Sequence, residues 1–72
     1  MAAVLDLRGV RCPLNWARAK VRLETMAPRD VLVLVVDDPR APADIPRAAE
    51  ASGHHVTDVA ADGGAWRITI EV

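Results

Sequence analysis

Val31-Leu32-Val33-Leu34-Val35-Val36 is an unbroken apolar run in a chain of 72 residues, and it restricts the fold more than any other stretch. It is bounded by Asp30 and by Asp37-Asp38-Pro39. An apolar run of this length without polar alternation reads as a central strand, flanked by neighbours and covered by at least one further layer. If that layer lies on one side only, one parity of the run faces outward and leaves an apolar patch on the open face.

The remaining elements fit around this strand. Val4-Leu5-Asp6-Leu7 reads as a short first strand, closed by Gly9. A helix follows from Pro13 to about Met26. At roughly 100° per residue, Trp16, Ala19, Leu23 and Met26 share a stripe spaced for burial on a sheet. Leu14, Ala17 and Val21 form a second stripe available to another helix, and Asn15, Arg18, Arg22 and Thr25 occupy a polar arc between the two. Ala27-Pro28-Arg29-Asp30 is a turn. A second helix is expected from about Pro42 to Ser52, with Pro46 near its first turn and Gly53 as its left-handed stop. Ile45, Ala48, Ala49 and Ser52 give its inward stripe. His55 to about Ala60 alternates poorly and reads as an edge strand or a bulge. Asp62-Gly63-Gly64 is a hairpin turn. Beyond it Trp66, Ile68, Ile70 and Val72 point inward, with Arg67, Thr69 and Glu71 outward. The order βαβαββ, with right-handed crossovers, predicts an α/β (α+β) two-layer sandwich. Two helices lie on one face of a four-stranded mixed sheet, in one domain spanning residues 1–72.

Hydrophobic residues make up 51% of the chain, enough for a core and too many for disorder. The one cysteine, Cys12, cannot form an internal disulfide, and no Cys or His spacing points to a metal. No metal and no cofactor are expected. Asp37 and Asp38 are too few oxygens for a cation and read as turn and cap residues, with a partner-binding role as the alternative. His54 and His55 read as residues leading into a strand. Met1-Ala2-Ala3 runs straight into a strand pattern, leaving no room for a signal peptide, and no apolar run is long enough for a membrane. A reducing cytoplasm is the expected compartment. Residues 1–30 hold six Lys/Arg against three acids, and residues 31–72 hold three against seven. The basic side suits an anionic species or an acidic protein surface. It is too small, and too poor in aromatics, for direct nucleic-acid binding.

The basic half centres on Gly9-Val10-Arg11-Cys12-Pro13-Leu14-Asn15. Pro13 suits the first position of a helix, which makes Cys12 the predicted N-cap. Its sulfur then lies beside the backbone N–H groups of Leu14 and Asn15, where the helix dipole favours a thiolate. Arg11 and Arg8 add positive charge. Cysteine is a poor cap compared with Ser, Asp or Asn, so chemistry is a reason for its presence. The competing reading is a buried, inert thiol that packs as a small hydrophobe. Arg18, one turn into the helix, either reaches the cysteine loop or is a solvated arginine.

Leu5-Asp6-Leu7-Arg8-Gly9-Val10-Arg11-Cys12-Pro13, followed at a distance by Asp37-Asp38-Pro39 and Asp44-Ile45-Pro46, resembles the TusA/SirA family of small sulfur carriers. The resemblance runs from Leu5 to the C-terminus. It implies the same two-layer sandwich, similar to the C-terminal domain of translation initiation factor three. The family's usual Cys-Pro-x-Pro reads Cys-Pro-Leu-Asn here, with Asn15 in place of the second proline. The resemblance implies a sulfurtransferase-type carrier that accepts sulfane sulfur as a persulfide on Cys12. A cysteine desulfurase or rhodanese would be the donor, and an acceptor protein would serve tRNA thiolation, cofactor assembly or sulfur metabolism. The alternative is a non-catalytic interaction or regulatory module of the same fold. A thiol redox protein would need a resolving cysteine from elsewhere.

Overall fold

The computed structural model describes residues 2–72. The elements are β1 (Ala2–Asp6), α1 (Leu14–Glu24), β2 (Val31–Val36), α2 (Ala41–Ala51), β3 (His55–Asp62) and β4 (Ala65–Glu71). They form a four-stranded mixed sheet in the order β1-β2-β4-β3. β1 and β2 are parallel, and β4 runs antiparallel to both β2 and β3.

The apolar run is the inner strand the sequence demands. Leu32, Leu34 and Val36 are fully buried, while Val31, Val33 and Val35 are half-buried on the other face. Cross-strand register carries this parity through the sheet: Leu34 lies between Leu5 and Ile68, and Val33 between Val4 and Thr69. The buried parity joins Ala19 and Leu23 of α1 and Ala41, Ile45 and Ala49 of α2 in one core cluster. Both helices therefore cover the same face. The opposite face keeps an apolar patch, on which Val4 is 62% exposed. β4 alternates as read, and β3 is both an edge strand and bulged, its register slipping between Val56 and Asp58. No described helix is long and apolar enough to cross a membrane.

Three details differ from the expected helices. Pro13 is not the first helical residue: its φ of −89° and ψ of 3° leave it in the N-cap position, and its carbonyl accepts the Ala17 N–H at 3.0 Å. The second stripe of α1 meets no helix but faces solvent, with Leu14 53% and Val21 65% exposed. The sheet-facing stripe, Ala19 and Leu23 buried with Trp16 and Met26 packed beside them, is enough to fasten an 11-residue helix. In α2, Pro46 is inside the helix rather than at its first turn, so it offers no N–H to the Pro42 carbonyl four residues back. The helix ends in a Schellman motif. His54 N–H reaches Ala49 O and Gly53 N–H reaches Glu50 O, both at 3.0 Å, with Gly53 at φ 88°.

Candidate functional site

Because β1 and β2 are parallel neighbours, their C-terminal ends lie side by side, and the two loops that leave them meet. The first carries Cys12 and the second carries Asp37 and Asp38. Leu7 N–H continues the ladder to Val35 O at 2.7 Å, and Val10 N–H returns to Leu7 O at 3.1 Å. That turn needs a positive φ at its third residue, supplied by Gly9 at 83°. Side chains of the second loop then bind the backbone of the first. Asp37 Oδ1 accepts the Gly9 N–H at 2.9 Å, and Asp38 Oδ2 accepts the Cys12 N–H at 2.8 Å. The other oxygen of Asp38 accepts the Arg40 N–H at 2.9 Å. Gly9, Arg11, Cys12, Asp37, Asp38, Pro39 and Arg40 line a cleft of about 700 Å³ between the loops.

Cys12 is a free thiol, partly exposed in this cleft. It precedes the N-cap instead of filling it, and the Cys12–Pro13 peptide is cis. The backbone donors of the first turn are largely taken within the chain. Asn15 N–H bonds Arg11 O at 3.0 Å and Trp16 N–H bonds the side-chain Oδ1 of Asn15 at 2.7 Å. The expected use of the Asn15 N–H as a thiolate donor is therefore corrected, because Arg11 O already holds it. The sulfur instead donates to Asn15 Oδ1 at 3.1 Å. Asn15, placed by periodicity on a polar arc, is fully buried. Its amide closes the turn from the inside, which requires it to lie beneath the loop.

The charges also sort differently from the sequence expectation. Arg8 turns back to Asp6, with Nη2 to Oδ2 at 2.8 Å and both Nε and the backbone N–H to Oδ1 at 3.0 Å. These Arg8 bonds, the side-chain ones first, pull the Asp6 carboxyl down to about 2. Arg8 is thus held by the nearer carboxylate, two residues away, and does not line the cleft. Arg11 does line it, and so does Arg40, a cation that the sequence reading passed over. The Asp38 carboxyl sits below its ordinary 3.8, chiefly through the Cys12 N–H and then the Arg40 N–H, with the Arg40 and Arg11 charges adding. Arg18 is exposed on α1, His54 precedes β3 and His55 is its first residue; none of the three lines the cleft. Asp37 and Asp38 serve turns and loop contacts. Among the described residues, no group of three or more His, Cys, Asp or Glu is placed to hold a metal.

A βαβαββ sandwich with a partly exposed cysteine on the loop before its first helix defines a class of small α+β domains that present a single thiol at a cleft between loops. Comparisons with known proteins narrow the class. The profile described as "Sulfurtransferase TusA" matches residues 3–72, and the chain belongs to this family of sulfur carriers. A relative from Archaeoglobus fulgidus is 38% identical over 69 residues, covering 94% of this chain and 78% of its own. The sulfur carrier protein TusA of Allochromatium vinosum is 31% identical over 67 residues, covering 93% of this chain and 88% of its own. The crystal structure of a SirA-like protein from Desulfitobacterium hafniense superposes with a TM-score of 0.83 at 25% identity, over 97% of this chain and 96% of that one. Membership of the family assigns the chain a role in sulfur relay, in which sulfur passes between partners.

Proposed function

We propose that Cys12 is the residue that carries the sulfur, as a persulfide. The observation that supports this most directly is the position of its thiol: free, partly exposed and lining a cleft with Arg11 and Arg40. The sulfur of Cys12 attacks the terminal sulfur of a donor persulfide. A new S–S bond forms on Cys12, and the donor's S–S bond breaks with its electron pair remaining on the donor's inner sulfur. The proton of the Cys12 thiol ends on that departing sulfur, so Cys12–SH and donor–SSH become Cys12–SSH and donor–SH without net oxidation. An acceptor thiol repeats the exchange in the forward direction.

Arg11 and Arg40 provide the positive field for the anionic sulfur, and the Asp38 contact holds the Cys12 backbone in place. Leu14, Arg18 and Val21 lie within about 60° of arc on the exposed side of α1, next to the cysteine loop, and form the surface for protein partners. The donor is a cysteine desulfurase or rhodanese in a reducing cytoplasm, and the acceptor belongs to RNA thiolation, cofactor assembly or sulfur metabolism. Radiolabelled cysteine with a desulfurase tests this reading. Label should appear on the parent, disappear on adding a thiol reductant, and be absent from Cys12→Ala; equal labelling of Cys12→Ala would refute the assignment.

A further inference from the structure

Both helices cover one face of the sheet, and the other face carries a band of valines. Val4 is 62% exposed there, and Val31, Val33 and Val35 are half-buried. Beside the band, β4 presents Arg67, Thr69 and Glu71 to the same face, alternating with the buried Ile68 and Ile70. Arg67 and Glu71 are exposed, and among the described residues neither has an ion-pair partner. The acid on the row of Arg67 is Asp6, one strand beyond Val35, and Arg8 already holds it at 2.8 Å.

Charge along β4 therefore runs positive, neutral, negative, with Thr69 at the midpoint. A half-turn about a line across the strands, through Thr69 and its register partner Val33, exchanges the two ends. It sets positive on negative twice, Thr69 on Thr69, and the valine band on itself. Packed sheets lie about 10 Å apart with their strands within about 30°, so long side chains on the two apposed β4 strands meet. An unrelated partner must match this order of charge; a second copy matches it by symmetry alone.

We propose that the open sheet face is the interface of a weak symmetric dimer, in which Arg67 of each chain lies against the partner's Glu71. By strand spacing and rise the face spans roughly 20 Å by 20 Å. That falls short of the about 800 Å² per partner of a standard interface, so the dimer forms at high protein concentration. Asp58 shares the row of the axis, but it lies on the edge strand β3, where solvent screens its like charge. The helices lie on the far side of the sheet, and the half-turn places the two cysteine clefts at opposite ends of the pair. Both thiols stay open in the dimer, which stands independently of how the thiol is used.

Sedimentation equilibrium from micromolar to millimolar concentration, at low salt and with a reductant to prevent linkage through Cys12, tests this. The parent should dimerise reversibly in the upper part of that range. Arg67→Glu and Glu71→Arg each turn two attractive contacts into two repulsive ones, and each should weaken the dimer roughly ten-fold. The combined variant, with the two charges exchanged, should recover the parent's affinity. Val4→Lys should abolish the dimer while thermal unfolding of the dilute chain stays unchanged. A chain that remains monomeric overturns the proposal, whether its open face then takes up lipid vesicles, another protein or nothing. So does a dimer indifferent to the single reversals, or one that the combined exchange fails to restore.

Discussion

The carboxylate of Asp38 accepts the backbone N–H of Cys12 at 2.8 Å across 26 residues of chain. This bond joins the two loops at the end of the parallel strand pair and fixes the backbone from which the thiol projects. Asp38→Ala removes it together with the bond to the Arg40 N–H. We expect the sheet to survive and the Cys12 amide to exchange with solvent faster, while Asp38→Asn, which keeps an acceptor, restores part of the protection. Unchanged exchange at Cys12 in Asp38→Ala would show that the loop is held by other means.

Acid should loosen the same contact. Asp38 and Asp6 both titrate below the ordinary 3.8 in the folded chain, so folding favours their ionised forms. Their contribution is complete above about pH 4 and is lost as pH falls through the folded values, near 2 for Asp6. Carbon NMR of the carboxyl groups measures both. Asp6 should titrate near 2 and Asp38 below 3.8, with the Cys12 amide shift following Asp38. An Asp38 midpoint at or above 3.8 contradicts the bond.

Arg29 occupies φ 73°, in a turn closed by Asp30 N–H to Ala27 O at 3.1 Å. Pro28 fits the second position of that turn, but the third favours glycine. Left-handed backbone costs a non-glycine residue about 1–3 kcal/mol, offset in part by the greater freedom of an unfolded glycine. Arg29→Gly should therefore stabilise the fold by about 0.5–1 kcal/mol in thermal or denaturant unfolding. A loss of stability would place the left-handed residue elsewhere.

The two apolar stripes of α1 separate cleanly by mutation. Leu23 is buried against the sheet, and Val21 is 65% exposed. Leu23→Ala should cost about 2–5 kcal/mol, whereas Val21→Ala should change stability by no more than about 0.5 kcal/mol. Comparable losses in denaturant unfolding would mean that the outer stripe is covered.

These contrasts also mark what local sequence can and cannot convey. Val31–Val36 emerges with the bounds that were read, because a continuous apolar run has one comfortable place in a sheet. The β4 parity and the Gly53 stop follow equally local rules. Helical periodicity gives Asn15 only an angle, a polar one, whereas its contacts with the Cys12 thiol and the Trp16 N–H go with full burial. Nearness in sequence points Arg8 at the thiol and ignores the competing Asp6 carboxylate. The tie between Asp38 and Cys12 has no local signal at all. It follows from topology: a βαβ unit sets the ends of two parallel strands together, so both motifs at those ends belong to one site. The same topology brings Arg40 into the cleft.

The central claim is that Cys12 carries sulfur, and intact-mass spectrometry after treatment with a desulfurase and cysteine, or another sulfane-sulfur donor, tests it most directly. The parent should gain one sulfur atom, mapped to the peptide containing Cys12 and removed by a thiol reductant. Cys12→Ser, whose hydroxyl can still donate to Asn15 Oδ1, should fold normally and gain none. A parent whose thiol is demonstrably free, yet stays unmodified with several donors, would contradict the account.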